Sequence, residues 1–352
     1  MPTKQVKDAA VLATNPVPGL DPARAAAVRR WLWIMVGMVF IMVVVGGATR
    51  LTGSGLSITE WNPVRGAIPP LNAEHWAREF ALYKASPQYK LLNEGMSLGE
   101  FQFIYWWEWG HRQWGRLIGM VMLFGFLWFW LTKALRGWTA AAVFSLGLLL
   151  GLQGAIGWIM VASGLKPGMI AVAPVKLTLH LTFACFFLIG LIVAAVRFRG
   201  AAGSGEAGLV RAARWLVVAL LVQIALGGLV AGSKAGLTYN TWPLMDGALV
   251  PAASKLFVMP NFWENFVDNP TLVQFNHRLG AYIVLALVFW HAWAARGTAL
   301  ARRAWHLFAL VGAQAVLGVV TLLLVVPLWA GLAHQAMALA VLAYATLHAA
   351  RG

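Results

Sequence analysis

The sequence predicts an all-α integral membrane protein in which eight transmembrane helices form two pseudo-symmetric four-helix bundles. Of its 352 residues, 60% are hydrophobic and only 11% are charged, against about 45–50% and about 25% in ordinary soluble domains. The apolar residues gather into eight runs, most of them long enough to cross a bilayer. The chain also repeats itself, and the repeat divides these eight runs into two sets of four.

Eight apolar runs predict spanning helices, because a helix needs about 20 predominantly apolar residues to cross the hydrocarbon core. The runs are Trp31–Ala48, Leu117–Leu131, Thr139–Ala162, Leu177–Val196, Trp215–Ala231, Leu279–Ala295, Ala304–Val326 and Gly331–His348. The second run is the shortest, and we expect its helix to begin earlier, near Trp107. Residues 1–30 are predicted to form a cytoplasmic tail, without the apolar core of a secretory signal.

The distribution of charge predicts the orientation of the helices. The net charge is +15, but the basic residues lie at the ends of apolar runs, which argues against nucleic acid as a partner and for membrane lipid. Lys and Arg concentrate in the connections after the second, fourth and sixth runs, whereas most acids lie in the opposite connections. Both termini are therefore predicted on the cytoplasmic or matrix side, with loops 50–110 and 232–276 facing outward.

An internal repeat relates the two halves of the chain. The segment Val43–Pro70 is similar to Ile224–Ala253, and Trp61 is separated from Trp242 by the same offset as Gly46 from Gly227 (242 − 61 = 227 − 46). Further matching pairs are His111 with His277, Gln153 with Gln314, and His180 with His334. Because each half starts on the same side, the repeats are predicted to be parallel, related by an axis along the membrane normal. The predicted halves are residues 31–200 and 201–352.

Four of the eight histidines form the strongest candidate site. His111, His180, His277 and His334 lie at the outer ends of the second, fourth, sixth and eighth runs. An ionisable residue inside a membrane is costly and indicates function by default. Two imidazoles on facing helices can ligate a planar macrocycle from both sides, so each half is predicted to hold a haem.

Other interpretations of the histidines remain open. A lone histidine at such a depth is more often interfacial and hydrogen-bonded to backbone, but the repeated pairs favour haem. Zinc is disfavoured because no cysteine or carboxylate completes a ligand set, and the only cysteine is Cys185 in an apolar run. Arg112 and Arg278, which follow two of the ligands, are candidate contacts of haem propionates. The other histidines are interpreted as interfacial or structural: His75, His291, His306 and His348.

The repeat breaks beside one histidine of each pair. Glu108 precedes His111 by three positions, whereas Gln274 precedes His277 by three. Side chains at this spacing share a helix face, so only the first half has a carboxylate beside its ligand. Such a carboxylate can act as a base or stabilise a developing cation, which predicts a reactive first half and a redox partner haem in the second. The alternative is that Glu108 only pairs with Arg112 or Arg116 at the water boundary.

The first outer loop is longer than the second and contains a helical pattern over Asn72–Leu92. Trp76, Phe80 and Tyr83 recur on one side of this pattern, and charged residues lie on another. Two interpretations fit such a segment: it lies on the outer membrane surface, or it is a covering lid without chemistry.

Several segments together resemble the haem A synthases of bacterial and mitochondrial membranes. They are Gly46–Pro70, Glu108–Arg116, the TLHL sequence around His180, Phe275–Tyr282 and Ala333–Gln335. Some members of this family carry a cysteine pair in the first outer loop, and loop 50–110 has none. The sequence is thus more similar to the cysteine-free branch of alphaproteobacteria and mitochondria, and a bacterial inner membrane is the expected location.

The resemblance implies an oxidoreductase that oxidises the ring methyl of haem O to the formyl group of haem A by successive hydroxylations. It implies that His111 and His180 ligate the substrate haem, that His277 and His334 ligate a permanent haem b, and that Glu108 is essential. It further suggests two protein partners, namely the farnesyl-transferring enzyme that makes haem O and a redox protein. Two rival functions are a diheme b-type cytochrome that carries electrons from quinol and a transporter built from parallel repeats.

Overall fold

A computed structural model describes residues 20–62, 64–199 and 206–351 of the chain. Eight helices within these ranges are long and apolar enough to cross a membrane, which confirms the predicted fold class. They are α1 (Pro22–Leu51), α2 (Leu98–Leu131), α3 (Gly137–Gly164), α4 (Pro174–Arg197), α5 (Ala207–Gly232), α6 (Pro270–Ala294), α7 (Ala301–Leu323) and α8 (Leu328–Arg351). The predicted boundary between residues 200 and 201 lies outside the described residues, as do residues 1–19 of the predicted tail.

Four of the spanning helices begin well before the predicted points, namely α1, α2, α5 and α6. Helix α1 begins at Pro22 because Asp21 caps it by accepting a hydrogen bond from the Ala23 N–H at 3.3 Å, so residues 22–30 are helix and not tail. Helix α2 begins at Leu98, where Ser97 and Glu100 form a reciprocal capping box. Its first turns are too polar to register as part of an apolar run, which is why the sequence suggested a later start.

Each set of four consecutive helices packs as a closed ring. Helix α1 contacts α2, α2 contacts α3, α3 contacts α4, and α4 contacts α1; helices α5 to α8 repeat this order. The two histidine-bearing helices of a ring therefore stand diagonally, α2 opposite α4 and α6 opposite α8. The rings meet where α4 packs on α5 and α8, and where α8 packs on α1. The ring contacts agree with the predicted halves, while the symmetry axis between them remains a prediction.

The loop between α1 and α2 contains two short helices rather than one continuous helical segment. They are Ala73–Lys84 and Pro87–Leu92, and the second begins where Ser86 accepts a hydrogen bond from the Tyr89 N–H. Phe80 and Tyr83 stack on Phe101 of α2 at ring-centroid distances of 4.9 and 5.3 Å. The loop is thus fixed by aromatic packing to the first turns of α2, as a lid would be.

Candidate functional site

Each of the four repeated histidines lies against a glycine of the preceding helix. The pairs are His111 with Gly46, His180 with Gly157, His277 with Gly227, and His334 with Gly318. A Cβ atom added to any of these glycines would lie between 2.8 and 3.1 Å from an imidazole atom. Only glycine therefore allows the imidazole its observed position without a shift of one helix against the next.

The structure brings the histidines together in the predicted pairs. The His180 imidazole lies close enough to His111 to interact with it electrostatically, and His334 interacts in the same way with His277. All four histidines are half-buried within their four-helix rings. Within the described residues no group of three or more His, Cys, Asp or Glu side chains could hold a metal ion.

Glutamine side chains fix the backbone at three of these histidines. The Gln153 Nε2 donates to the His180 carbonyl at 2.8 Å, and the Gln314 Nε2 donates to the His334 carbonyl at 3.0 Å. Gln223 does the same at His277, at 2.9 Å, and its Nε2 also lies 3.0 Å from His277 Nδ1. The repeat places Met42 at the position that matches Gln223 (223 − 42 = 227 − 46), so His111 lacks the corresponding amide.

Glu108 is buried, with 2% of its surface exposed. Its two carboxylate oxygens accept hydrogen bonds from three donors. Its Oε2 accepts from the Ser57 hydroxyl at 2.8 Å and from the Ile58 N–H at 2.9 Å. Its Oε1 accepts from Arg112 Nη2 at 2.6 Å. The pairing with Arg112 is present, the carboxylate is buried in the protein, and Arg116 donates to other acceptors.

Gln274 is equally buried, and two of its three hydrogen bonds have the opposite direction. Its Nε2 donates to the carbonyls of Ala235 at 2.9 Å and Tyr239 at 3.1 Å, and its Oε1 accepts from Arg278 at 3.3 Å. Tyr239 matches Ile58 in the repeat (239 − 58 = 227 − 46), so the two side chains contact equivalent loop positions. The first loop presents donors to a carboxylate, whereas the second presents acceptors to an amide.

The two candidate propionate ligands hold the outer loops in place. Arg112 donates through Nη2 to the Ile58 carbonyl at 2.8 Å, and Arg278 donates through Nη2 to the Tyr239 carbonyl at 3.1 Å. Both therefore fasten a loop to the helix that carries a histidine. The Arg278 Nε is buried and has no hydrogen-bond partner.

One histidine pair was missed by the sequence reasoning. His291 and His348 are fully buried, and their Nε2 atoms lie 2.8 Å apart. Each follows a candidate haem ligand at the same spacing (291 − 277 = 348 − 334), about four helical turns, which places them on the same faces of α6 and α8. This equal spacing is the signal that predicts their pairing. Of the other two, His75 and His306 are exposed.

Comparison with known proteins agrees with this geometry. Residues 29–346 match the family of cytochrome oxidase assembly proteins. The chain is 61% identical to the heme A synthase of Methylobacterium sp. (strain 4-46), over 93% of this chain and 92% of that protein. It is 51% identical to the heme A synthase of Azorhizobium caulinodans, over 96% of this chain and 97% of that protein. These relatives give no support to an electron-carrying cytochrome, and the chain belongs to the cytochrome oxidase assembly family that includes the heme A synthases.

Proposed function

We propose that this protein is a haem A synthase, an oxidoreductase that converts haem O to haem A. The observation that carries the proposal is the buried Glu108 beside His111, at the position where the second half has a neutral amide. Near-full-length identity of 51–61% to heme A synthases supports the same activity. The ring methyl of haem O is then the group that becomes the formyl of haem A.

We assign the substrate haem to the first half, between His111 and His180. Their diagonal helices and their electrostatic interaction support this assignment. Gly46 and Gly157 support it as well, because a side chain at either would fill the space that the imidazole occupies. The two histidines would bind and orient the macrocycle, so that one edge of its ring lies near Glu108.

The second half fits a b-type haem by the same criteria. His277 and His334 are two imidazoles on diagonal helices, each against a glycine, with Gln223 and Gln314 fixing their backbones. A bis-histidine haem b supplies one-electron redox chemistry when it is bound there. Gln274 contributes no charge beside this site, which suits a haem that exchanges electrons without being chemically altered.

Glu108 has the surroundings of a catalytic carboxylate. Three donors hold its two oxygens, namely Ser57, Ile58 and Arg112, and its burial limits the access of water. A carboxylate so held can accept a proton from the group that is oxidised, or stabilise positive charge on the ring edge. Arg112 would position the carboxylate through their ion pair, and would also bond a propionate, as Arg278 would do through its unpartnered Nε.

The remaining parts of the proposal concern the membrane. Its eight apolar helices make the chain a multi-pass membrane protein, and its bacterial relatives point to the cell membrane. We place both termini on the cytoplasmic side, because the connections at that end carry most of the Lys and Arg. We further propose two protein partners, a farnesyl transferase that delivers haem O and a redox protein that exchanges electrons with the second half.

Pigment analysis tests the proposal. The full chain is purified after expression with and without a supply of haem O, and its haems are extracted and separated. We expect haem B in both preparations, and haem O with haem A only when haem O is supplied. Haem B alone under both conditions would overturn the synthase and favour a diheme electron carrier. Absence of any Soret band would overturn haem binding altogether.

A further inference from the structure

A basic cavity lies at the end of the second ring opposite the four repeated histidines. It has a volume of about 220 Å³ and lies between the first turns of α7 and the last turns of α8. Its lining residues are Arg302, Arg303, His306, Tyr344, Leu347, His348 and Arg351. This cavity plays no part in the proposed chemistry of haem O.

The charge in this cavity is uncompensated. Three of its lining residues are arginines and none is an acid, and the salt bridges among the described residues all lie elsewhere. The guanidinium groups of Arg199 and Arg303 repel that of Arg351. Like charges held together without a counter-ion destabilise the fold unless an anion joins them.

Two buried polar atoms in the cavity wall lack partners. The Arg351 Nε and the His348 Nδ1 have no hydrogen-bond partner, although both atoms are inaccessible to solvent. The other ring nitrogen of His348 is held by His291, so the imidazole has a fixed orientation. An unsatisfied buried donor costs about 1–3 kcal/mol, which an acceptor bound in the cavity would recover.

Most of the polar residues of this cavity are peculiar to the second half. In the α3–α7 correspondence set by the matching glutamines, Ala142 stands opposite Arg303 (303 − 142 = 314 − 153). In the α4–α8 correspondence set by the matching histidines, Ala194 stands opposite His348 (348 − 194 = 334 − 180). The second half thus has a charged side chain and a buried imidazole where the first half has small apolar residues.

Arg351 does have a basic counterpart in the first half, but the surroundings of the two arginines differ. The counterpart is Arg197 (351 − 197 = 334 − 180), whose guanidinium lies over the Trp138 ring at 5.6 Å from its centroid. An aromatic face therefore accommodates the charge of Arg197, whereas Arg351 lines a cavity that contains other arginines.

We propose that this cavity binds a phosphate group, carried by an anionic phospholipid or free in solution. Arg303 and Arg351 are its principal ligands, because guanidinium groups match the oxygens of a phosphate bidentately. Tyr344 and Leu347 provide the wall beside which the glycerol end of a lipid would lie. The inference goes beyond the proposed oxidation, and it stands or falls on binding alone, whatever haem the protein contains.

The test measures binding of two probes to the full chain in detergent. Native mass spectrometry counts retained dioleoyl phosphatidylglycerol, and equilibrium dialysis with radiolabelled salt measures inorganic phosphate. We expect the double variant Arg303→Gln, Arg351→Gln to weaken binding roughly tenfold or more. If the double variant loses binding of the lipid alone, the cavity is a lipid site. If it loses binding of both probes, the cavity is a site for free phosphate as well.

Two further variants keep the result interpretable. The double variant Arg303→Lys, Arg351→Lys retains the charge and should recover part of the binding, which separates ligand loss from misfolding. Arg214→Gln removes one charge from an exposed position near the start of α5, at the same end of the bundle, and should leave binding unchanged. Failure of the wild-type chain to retain either probe, or an equal loss in Arg214→Gln, would overturn the proposal.

Discussion

The two halves of this chain have the same histidines and the same glycines behind them, yet they differ in what surrounds the first histidine. Beside His111 a buried carboxylate is held by three donors, and beside His277 a buried amide contacts two carbonyl oxygens. Both side chains are 2% exposed, so burial does not distinguish them. The difference lies in the hydrogen bonds to the loop, which the carboxylate accepts in one half and the amide donates in the other.

A second contrast lies in how each ligand is supported. Gln223 contacts both the backbone and the ring of His277, while Met42 stands at the equivalent place in the first half. A polar partner beside the ring of an iron ligand fixes the orientation of that ring. A site that keeps its haem benefits from such a partner, and a site that must release a product does not. The two contrasts therefore agree in assigning exchange and chemistry to the first half.

The most severe test converts the first half to the chemistry of the second. Glu108→Gln should lower haem A formation about 100-fold or more, because the reacting group loses its base. The haem content of the purified variant should stay near that of the wild type, since both histidines remain. The measurement is haem A per chain after a fixed time with haem O supplied.

A matched control for this variant is Glu94→Gln, which removes an exposed carboxylate from the same outer loop. It should form haem A at the wild-type rate. Wild-type activity in Glu108→Gln would reduce Glu108 to a structural partner of Arg112, and the contrast between the halves would then carry no catalytic meaning.

Removal of one ligand from each half should separate the two haems. His334→Ala should lose the b-type haem and keep the haem of the first half, whereas His180→Ala should do the reverse. The reason is that, in our proposal, each imidazole ligates only the haem of its own half. Haem per chain and the identity of the extracted pigment provide the measurement. An unchanged b-type spectrum in His334→Ala would remove the assignment of haem b to the second half.

A smaller effect is expected from the support of His277. Gln223→Met gives the second half the residue of the first and should weaken its hold on haem b about tenfold, since the ring loses its amide partner. Transfer of haem to an excess of apomyoglobin measures this affinity. Met42→Leu, which changes the equivalent residue without altering its polarity, should leave haem b in place. Equal haem transfer from the wild type and from Gln223→Met would show that the amide contributes nothing to the affinity for haem b.

The sequence predicted the eight helices from their apolar runs, and it suggested the histidine pairs through the internal repeat. Apolar runs locate spanning helices, but not polar first turns such as those after Ser97 and Asp21, where a cap decides the start. The pairing of Glu108 with Arg112 was foreseeable because the two residues are four apart on one helix.

What the sequence could not predict depends on contacts between distant parts of the chain. Ser57 and Ile58 reach Glu108 from the far end of the first outer loop, and no periodicity connects them. Their donors, together with Arg112, hold the carboxylate in its buried position. The pair His291 and His348 was within reach of the sequence, since both repeat the spacing of the ligands above them, but this spacing becomes meaningful only once α6 and α8 are known to face each other.

The smallest expected effect concerns the longer outer loop, between α1 and α2. The Tyr83 hydroxyl accepts from Asn93 at 2.7 Å and donates to the buried Gln88 at 3.0 Å, and burial raises the pKa of this phenol, so that it stays protonated. Tyr83→Phe leaves both partners unsatisfied and should destabilise the loop by about 1–3 kcal/mol. Backbone hydrogen exchange over residues 73–92 should accelerate accordingly, while Tyr89→Phe, which loses one exposed bond, should change it less. Haem A formation should persist in Tyr83→Phe if the loop only covers the site; a loss as deep as that of Glu108→Gln would make the loop a part of the reactive half.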